Sequence, residues 1–178
     1  RSGQGGTGFA KCGRNYAASL AASAEAAANN CQQVMFTDAA TSTHLEELGG
    51  MNLMLVTKDG ELLTPPVSEA ILDGVTRRSL LELAPQIGLT PVERPIEVAE
   101  WRDRAAAGEI VEAFACGTAA VITPIGQLKS NDFTIDMGEE PGEATMKLRS
   151  TLLDIQYGRA EGPDGWMVKL LSLIHISE

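Results

Sequence analysis

Cysteine is scarce in this chain: three in 178 residues, at positions 12, 31 and 116, with no C-x-x-C spacing. An odd, scattered set excludes a disulfide framework and a cysteine zinc site. It points instead to reduced thiols and a cytoplasmic compartment. Positive charge is also short, with 14 Lys and Arg against 24 Asp and Glu, a net charge of −10. That balance argues against nucleic acid or an anionic membrane surface as a partner. No apolar run approaches the ~20 residues that span a bilayer, and no stretch has the layout of a secretory signal. Repeats and low-complexity segments are absent. What remains is 44% hydrophobic and 21% charged, the composition of one soluble domain with a real core.

Both ends read as cut. The first residue is Arg1, already inside a glycine-rich loop, and Ser172 to Glu178 resembles translated adapter read-through. Residues 171–178 are therefore set aside as a non-native tail, and residues 1–170 are read as one domain.

The stretch from Gly5 to Tyr16, GGTGFAKCGRNY, organises the rest. Glycine lets backbone approach a ligand closely. A lysine held there can be desolvated into a neutral, nucleophilic amine able to attack a carbonyl. A phosphate loop is excluded, because Phe9 and Ala10 separate Gly8 from Lys11, and Cys12 stands where Ser or Thr is needed. The alanine-dense run from Tyr16 to Asn30 predicts a helix. Strands are expected over Cys31–Thr37, in the short run from His44 toward Asn52, over Leu53–Thr57 and over Glu61–Thr64, with a hairpin turn at Lys58–Gly60. Thr76 reads as the N-cap of a helix carrying Ser79–Ile87, whose last turn Pro85 tightens. A strand over Thr90–Pro95, a helix over Val98–Ala107 and strands over Ile110–Ala115 and Val121–Ile125 follow. A hairpin over Asn131–Asp136 and a helix over Glu143–Tyr157 complete the domain. The fold class is α/β, mixed strands with helices packed outside.

Three more glycine-rich stretches carry polar groups suited to a ligand. Glu46-Glu47-Leu-Gly-Gly-Met-Asn-Leu53 offers a carboxylate at a strand end, or a solvated acidic hairpin. Gly74-Val-Thr-Arg-Arg78 offers helix-start N–H groups and a hydroxyl for a phosphate, or a plainly capped helix. Cys116-Gly-Thr-Ala-Ala120 offers a second anion site, or an ordinary turn.

In this order the four stretches resemble the class IV pyridoxal-phosphate aminotransferases, and among them the branched-chain amino-acid aminotransferases of actinobacterial type. The phrases Gly-Met-Asn-Leu, Phe-Ala-Cys-Gly-Thr-Ala-Ala and Asp-Ile-Gln-Tyr-Gly extend the likeness over most of the chain. The resemblance implies the C-terminal domain of the D-amino-acid-aminotransferase-like fold, a mixed sheet or pseudo-barrel with outer helices. It makes Lys11 the Schiff-base lysine. Tyr16 bonds the cofactor's phenolate oxygen, and Glu47 the pyridine nitrogen. Val75, Thr76 and Thr118 hold the phosphate, and Thr118 with Ala119 meets the substrate carboxylate. It also implies pyridoxal phosphate as cofactor, a homodimer, and amino transfer from leucine, isoleucine or valine to 2-oxoglutarate. A D-amino-acid aminotransferase, an aminodeoxychorismate lyase, or a fragment inactive without the family's smaller N-terminal domain are the alternatives. Arg14 departs from the family's small residue, and is expected as a costly guanidinium beside Tyr16.

Overall fold

The computed structural model describes residues 2–168; the tail assigned to residues 171–178 lies outside them. Seven strands form one sheet: β1 (Met35–Thr37), β2 (Leu45–Leu48), β3 (Met51–Thr57), β4 (Glu61–Thr64), β5 (Thr90–Glu93), β6 (Ile110–Gly117) and β7 (Val121–Pro124). All pairings are antiparallel except β4 with β5. Five helices accompany it: α1 (Gly13–Ala17), α2 (Leu20–Ala28), α3 (Val75–Leu83), α4 (Val98–Ala106) and α5 (Glu143–Gln156). A two-stranded ribbon, β8 (Gln127–Lys129) with β9 (Thr134–Asp136), completes the described elements.

Alternation along β3 explains the layering. Met54 and Val56 enter one apolar cluster with Leu80 and Leu83 of α3 and Leu148, Leu152 and Ile155 of α5. Leu53 and Leu55 enter the other, with Ile96, Trp101 of α4 and Ile135 of β9. Each strand residue faces opposite to its neighbour, so one strand seeds two cores and helices cover both faces. The expected mixed sheet with outer helices is what forms.

β3 is also where the sheet divides. One edge pairs with β6 from Asn52 to Thr57. The other edge is shared: β2 pairs with Met51 and Asn52, and β4 with Leu55 and Val56. Between the two ladders, the buried Thr64 hydroxyl donates to the Leu53 carbonyl at 2.7 Å. That side-chain bond satisfies a backbone acceptor at the fork.

Several boundaries differ from the sequence reading for local reasons. The helix expected over Tyr16–Asn30 is broken, because the Ser19 hydroxyl donates back to the Tyr16 carbonyl at 2.7 Å and so competes with the helical ladder. It ends early at Ala28, with Asn29 as its C-cap and Asn30 in the left-handed region at φ 57°. The strand expected from Cys31 has ladder partners only over Met35–Thr37. Thr76 does not cap α3. Gly74 does, with extended backbone, and Thr76 is buried inside the first turn. Pro85 does tighten the chain, in a 3-10 turn over Ala84–Ile87. The expected Asn131–Asp136 hairpin is the second half of the ribbon, whose first strand, β8, is too short to show an alternation.

Replacing Thr64 by Val keeps the shape but leaves the Leu53 carbonyl unsatisfied in the core. We expect urea unfolding to show a loss of about 1–3 kcal/mol, with an unchanged dependence on urea.

Candidate active site

Backbone contacts draw the glycine-rich stretches together at the end of the sheet where β3 starts and β6 finishes. The loop before Lys11 lies on the segment that leads into α3. Phe9 N–H donates to the Glu69 carbonyl at 3.0 Å, and Gly5 N–H to a Glu69 carboxylate oxygen at 2.5 Å. A Cβ on Gly8 would stand 2.5 Å from the Ala70 carbonyl oxygen, so only glycine fits. Inside the loop, buried Asn15 acts as a staple. Its amide donates to the carbonyls of Thr7 at 2.6 Å and Ala10 at 2.7 Å, and its oxygen accepts from the Thr7 hydroxyl at 2.8 Å. Lys11 is exposed on this stapled loop, its Nζ 5.8 Å from the centre of the Tyr16 ring. Asn15 stood in the glycine-rich stretch, but its role as the staple was not read from the sequence.

Tyr16 is half-buried, and its ring edge lies 3.3 Å from where a Gly50 Cβ would be. That places it at the β2–β3 turn. Gly117, which closes β6, lies over Gly50 and Met51 of the same turn. Glu47 is 2% exposed and stands opposite Asn52 in the ladder. Asn52 donates to the Leu72 carbonyl at 3.0 Å, and its side-chain oxygen occupies the space a Cβ on Gly74 would need. The acid on β2 and the start of α3 are therefore linked through one asparagine. Glu46 instead lines a separate cavity of about 550 Å³, with Asp38, Ser68 and Ala70. A second cavity, about 750 Å³, lies under α2 against Met35 and Trp101. Neither is lined by Lys11, Glu47, Thr76 or Thr118, because the four stretches meet on an open face: Lys11, Val75, Thr118 and Ala119 are all exposed.

Two features of that face suit an anion. The first turn of α3 has no side-chain cap and no acid, so its N–H groups, at the positive end of the helix dipole, are left for another acceptor. α5 shows the contrast. There the Glu112 carboxylate accepts from Ala144 N–H at 3.0 Å, Thr145 N–H at 2.7 Å and the Thr145 hydroxyl. The second feature is the turn over residues 118–120, which ends at Val121 with φ 58°. A β-branched residue in the left-handed region is strained, and its ladder pairing with Gly117 holds it there. Arg14 is exposed in α1.

The family model for class IV amino-transferases matches residues 11–128. The chain belongs to that family. Among curated relatives, the branched-chain-amino-acid aminotransferase of Mycobacterium tuberculosis is 52% identical over 171 residues, covering 93% of this chain and 46% of its own length. The chain thus spans about half the length of the curated relatives it matches. Among solved structures, the Escherichia coli branched-chain amino acid aminotransferase superposes with a TM-score of 0.77 at 28% identity, over 94% of this chain and 52% of the other. The Thermobaculum terrenum enzyme, solved in its PLP-form, gives 0.73 at 33%, over 86% and 47%. These likenesses bear out the expected fold class. Among the described residues no helix is long and apolar enough to cross a membrane.

Burial pushes the Cys116 thiol up to about 12, opposed only in part by the nearby Arg77 charge. The folded value lies above the unfolded one, so the unfolded chain releases its proton first as pH rises. The stabilising effect is complete below about pH 9 and is lost through pH 12. We expect iodoacetamide at pH 8 to label half-buried Cys12 and Cys31 and to spare Cys116 until the chain is unfolded. A Cys116→Ala variant should lose less stability than the parent between pH 9 and 11.

Proposed function

We propose that this chain is the cofactor-carrying portion of a branched-chain amino-acid aminotransferase that uses pyridoxal phosphate. The observation that carries the reading is the convergence of a loop lysine, a buried acid and an uncapped helix start at one end of β3. The residues fit the cofactor. A reachable amine stands on a stapled loop, and Glu47 is buried beside the start of α3 through Asn52. The first turn of α3 offers N–H groups that no described side chain has taken. When bound, the cofactor supplies a carbonyl for the amine and a ring that accepts electrons.

In this reading Lys11 would hold the cofactor through its amine and, once the incoming substrate amine displaces it, the freed amine would carry the proton to or from the substrate Cα. Glu47 holds a proton on the pyridine nitrogen. Tyr16 donates to the phenolate oxygen, and its contact with Gly50 fixes the ring's position. Val75 N–H, Thr76 and Thr118 hold the phosphate. The N–H groups of Thr118 and Ala119 receive the substrate carboxylate, on the turn that ends at Val121. The substrates are leucine, isoleucine or valine, with 2-oxoglutarate as acceptor. The name and 52% identity of the mycobacterial relative support the branched-chain donors. The same reading makes the whole enzyme a homodimer with residues 1–170 as one domain, in the cytoplasm, in keeping with three free thiols.

Borohydride treatment of the chain with pyridoxal phosphate should leave a pyridoxyl group on Lys11, read by peptide mapping. A label on another lysine overturns the assignment. Joined to the preceding half of a curated relative, the chain should transaminate branched-chain amino acids in preference to D-alanine. In that protein Glu47→Gln should lower turnover by roughly 10²–10⁴-fold, the scale for a proton-holding group. Glu46→Gln, altered in the separate cavity, should leave turnover within a few-fold.

A further inference from the structure

The sequence reading passed over Arg77, the residue that follows Thr76 in α3. It is 2% exposed. One terminal nitrogen donates to the Pro65 carbonyl at 2.9 Å and to the Glu93 carboxylate at 2.5 Å, while its Nε is buried with no hydrogen-bond partner. Its one carboxylate partner is about half exposed, at 47%. A buried guanidinium so lightly compensated is a poor way to stabilise a core, where an apolar side chain of similar size would serve as well or better. Neighbouring Arg78 shows the ordinary alternative, exposed and paired with Asp73 at 3.6 Å.

The position of Arg77 suggests what its charge is for. It sits in the first turn of α3, beside the N–H groups of Val75 and Thr76, and its Cβ is 3.6 Å from where a Gly74 Cβ would be. Its charge also reaches Cys116, two residues before Thr118. It therefore lies directly at the α3 stretch that offers donors on the open face. A side chain held by Pro65 and Glu93, at the ends of β4 and β5, would also fix the direction of the α3 first turn.

We infer that Arg77 is a positioning residue for the cofactor's phosphate. It supplies a buried positive charge beside the Val75–Thr76 donors, and Glu93 sets how much of that charge the phosphate feels. This rests on the reading of those donors as the phosphate site. A dianion above the face competes with Glu93 for the charge of Arg77, in a setting where water screens the charges poorly.

The test compares dissociation constants of the 178-residue chain for pyridoxal phosphate and for pyridoxal, which lacks the phosphate, followed by absorbance. The ratio of the two isolates the phosphate contribution from ring binding and from general loosening of the fold. Arg77→Met should shrink the ratio by about tenfold. Glu93→Gln, a change at the surface, should enlarge it by roughly two- to fivefold, since the cation loses its competing partner. A structural role for the pair would make both variants shrink the ratio or leave it alone, and either result for Glu93→Gln overturns the inference even if Arg77→Met fails to fold. A well-folded Arg77→Met variant with the parent ratio does the same. If the parent itself binds both ligands alike, the phosphate site falls and the role of Arg77 falls with it. If the parent discriminates and the variants do not shift, only Arg77 is misassigned.

Discussion

One edge of β3 serves two partners, and the rest of the structure follows from that division. A strand in an ordinary sheet gives each edge to one neighbour. Here β2 takes the first residues of the edge and β4 the later ones, with the Leu53 carbonyl between them turned to the Thr64 hydroxyl. The β2 and β4 ladders on that edge are interrupted between Asn52 and Leu55, close to the start of β3. Glu47 and Asn52 are the last β2–β3 pair before that interruption, and the chain leaving β4 returns to Asn52 to begin α3. A continuous ladder at this place would have bridged the interruption with backbone hydrogen bonds and left no polar side chain near the helix start.

Close approach of backbone is the second constraint, and it makes particular glycines irreplaceable. Gly8 lies on Ala70 and Gly74 on Asn52, each with no room for a Cβ. The first contact sets the height of the lysine loop, and the second sets where α3 begins. The loop is otherwise held by Asn15, whose three hydrogen bonds replace the regular structure that residues 2–12 lack. Short contacts of this kind fix a site better than flexible side chains can, because packed backbone has few alternative arrangements.

The sequence revealed the layers and the composition of the site more readily than its edges. The β3 alternation and the apolar spacing of α3, α4 and α5 are local patterns, and they survive folding unchanged. The four glycine-rich stretches were visible because each pairs glycine with a reactive or polar residue. The role of Thr76 was misread because a threonine before an apolar run looks like a cap. What decides the helix start is Asn52, 22 positions earlier, pressing on Gly74. The break at Ser19 turns on one hydroxyl choosing a backbone carbonyl, and alanine-rich composition hides such a choice. The weight of Arg77 was invisible for a different reason. Arginine in a helix reads as solvated surface, and only burial with an unpartnered Nε sets it apart.

The distribution of buried polar groups separates what the fold needs from what the site needs. Thr57, Thr64 and Thr145 are buried with their hydroxyls engaged: Thr57 accepts from Glu61 N–H, Thr64 donates to Leu53, and Thr145 donates to Glu112. Each closes a local hydrogen-bond requirement of the backbone or of a helix start. Glu47, Thr76 and Arg77 lie within the glycine-rich stretches, with Asn52 joining two of them, and they bring charge or donors to one end of the molecule. Burying charge there costs stability that the apolar clusters on the two faces of β3 must offset. A fold selected for stability alone would place leucine at such positions, as it does at Leu53, Leu55, Leu80 and Leu148. The polar residues persist where a charged, nitrogen-containing ligand would repay their burial, and on that argument the start of β3 marks the functional end of the chain.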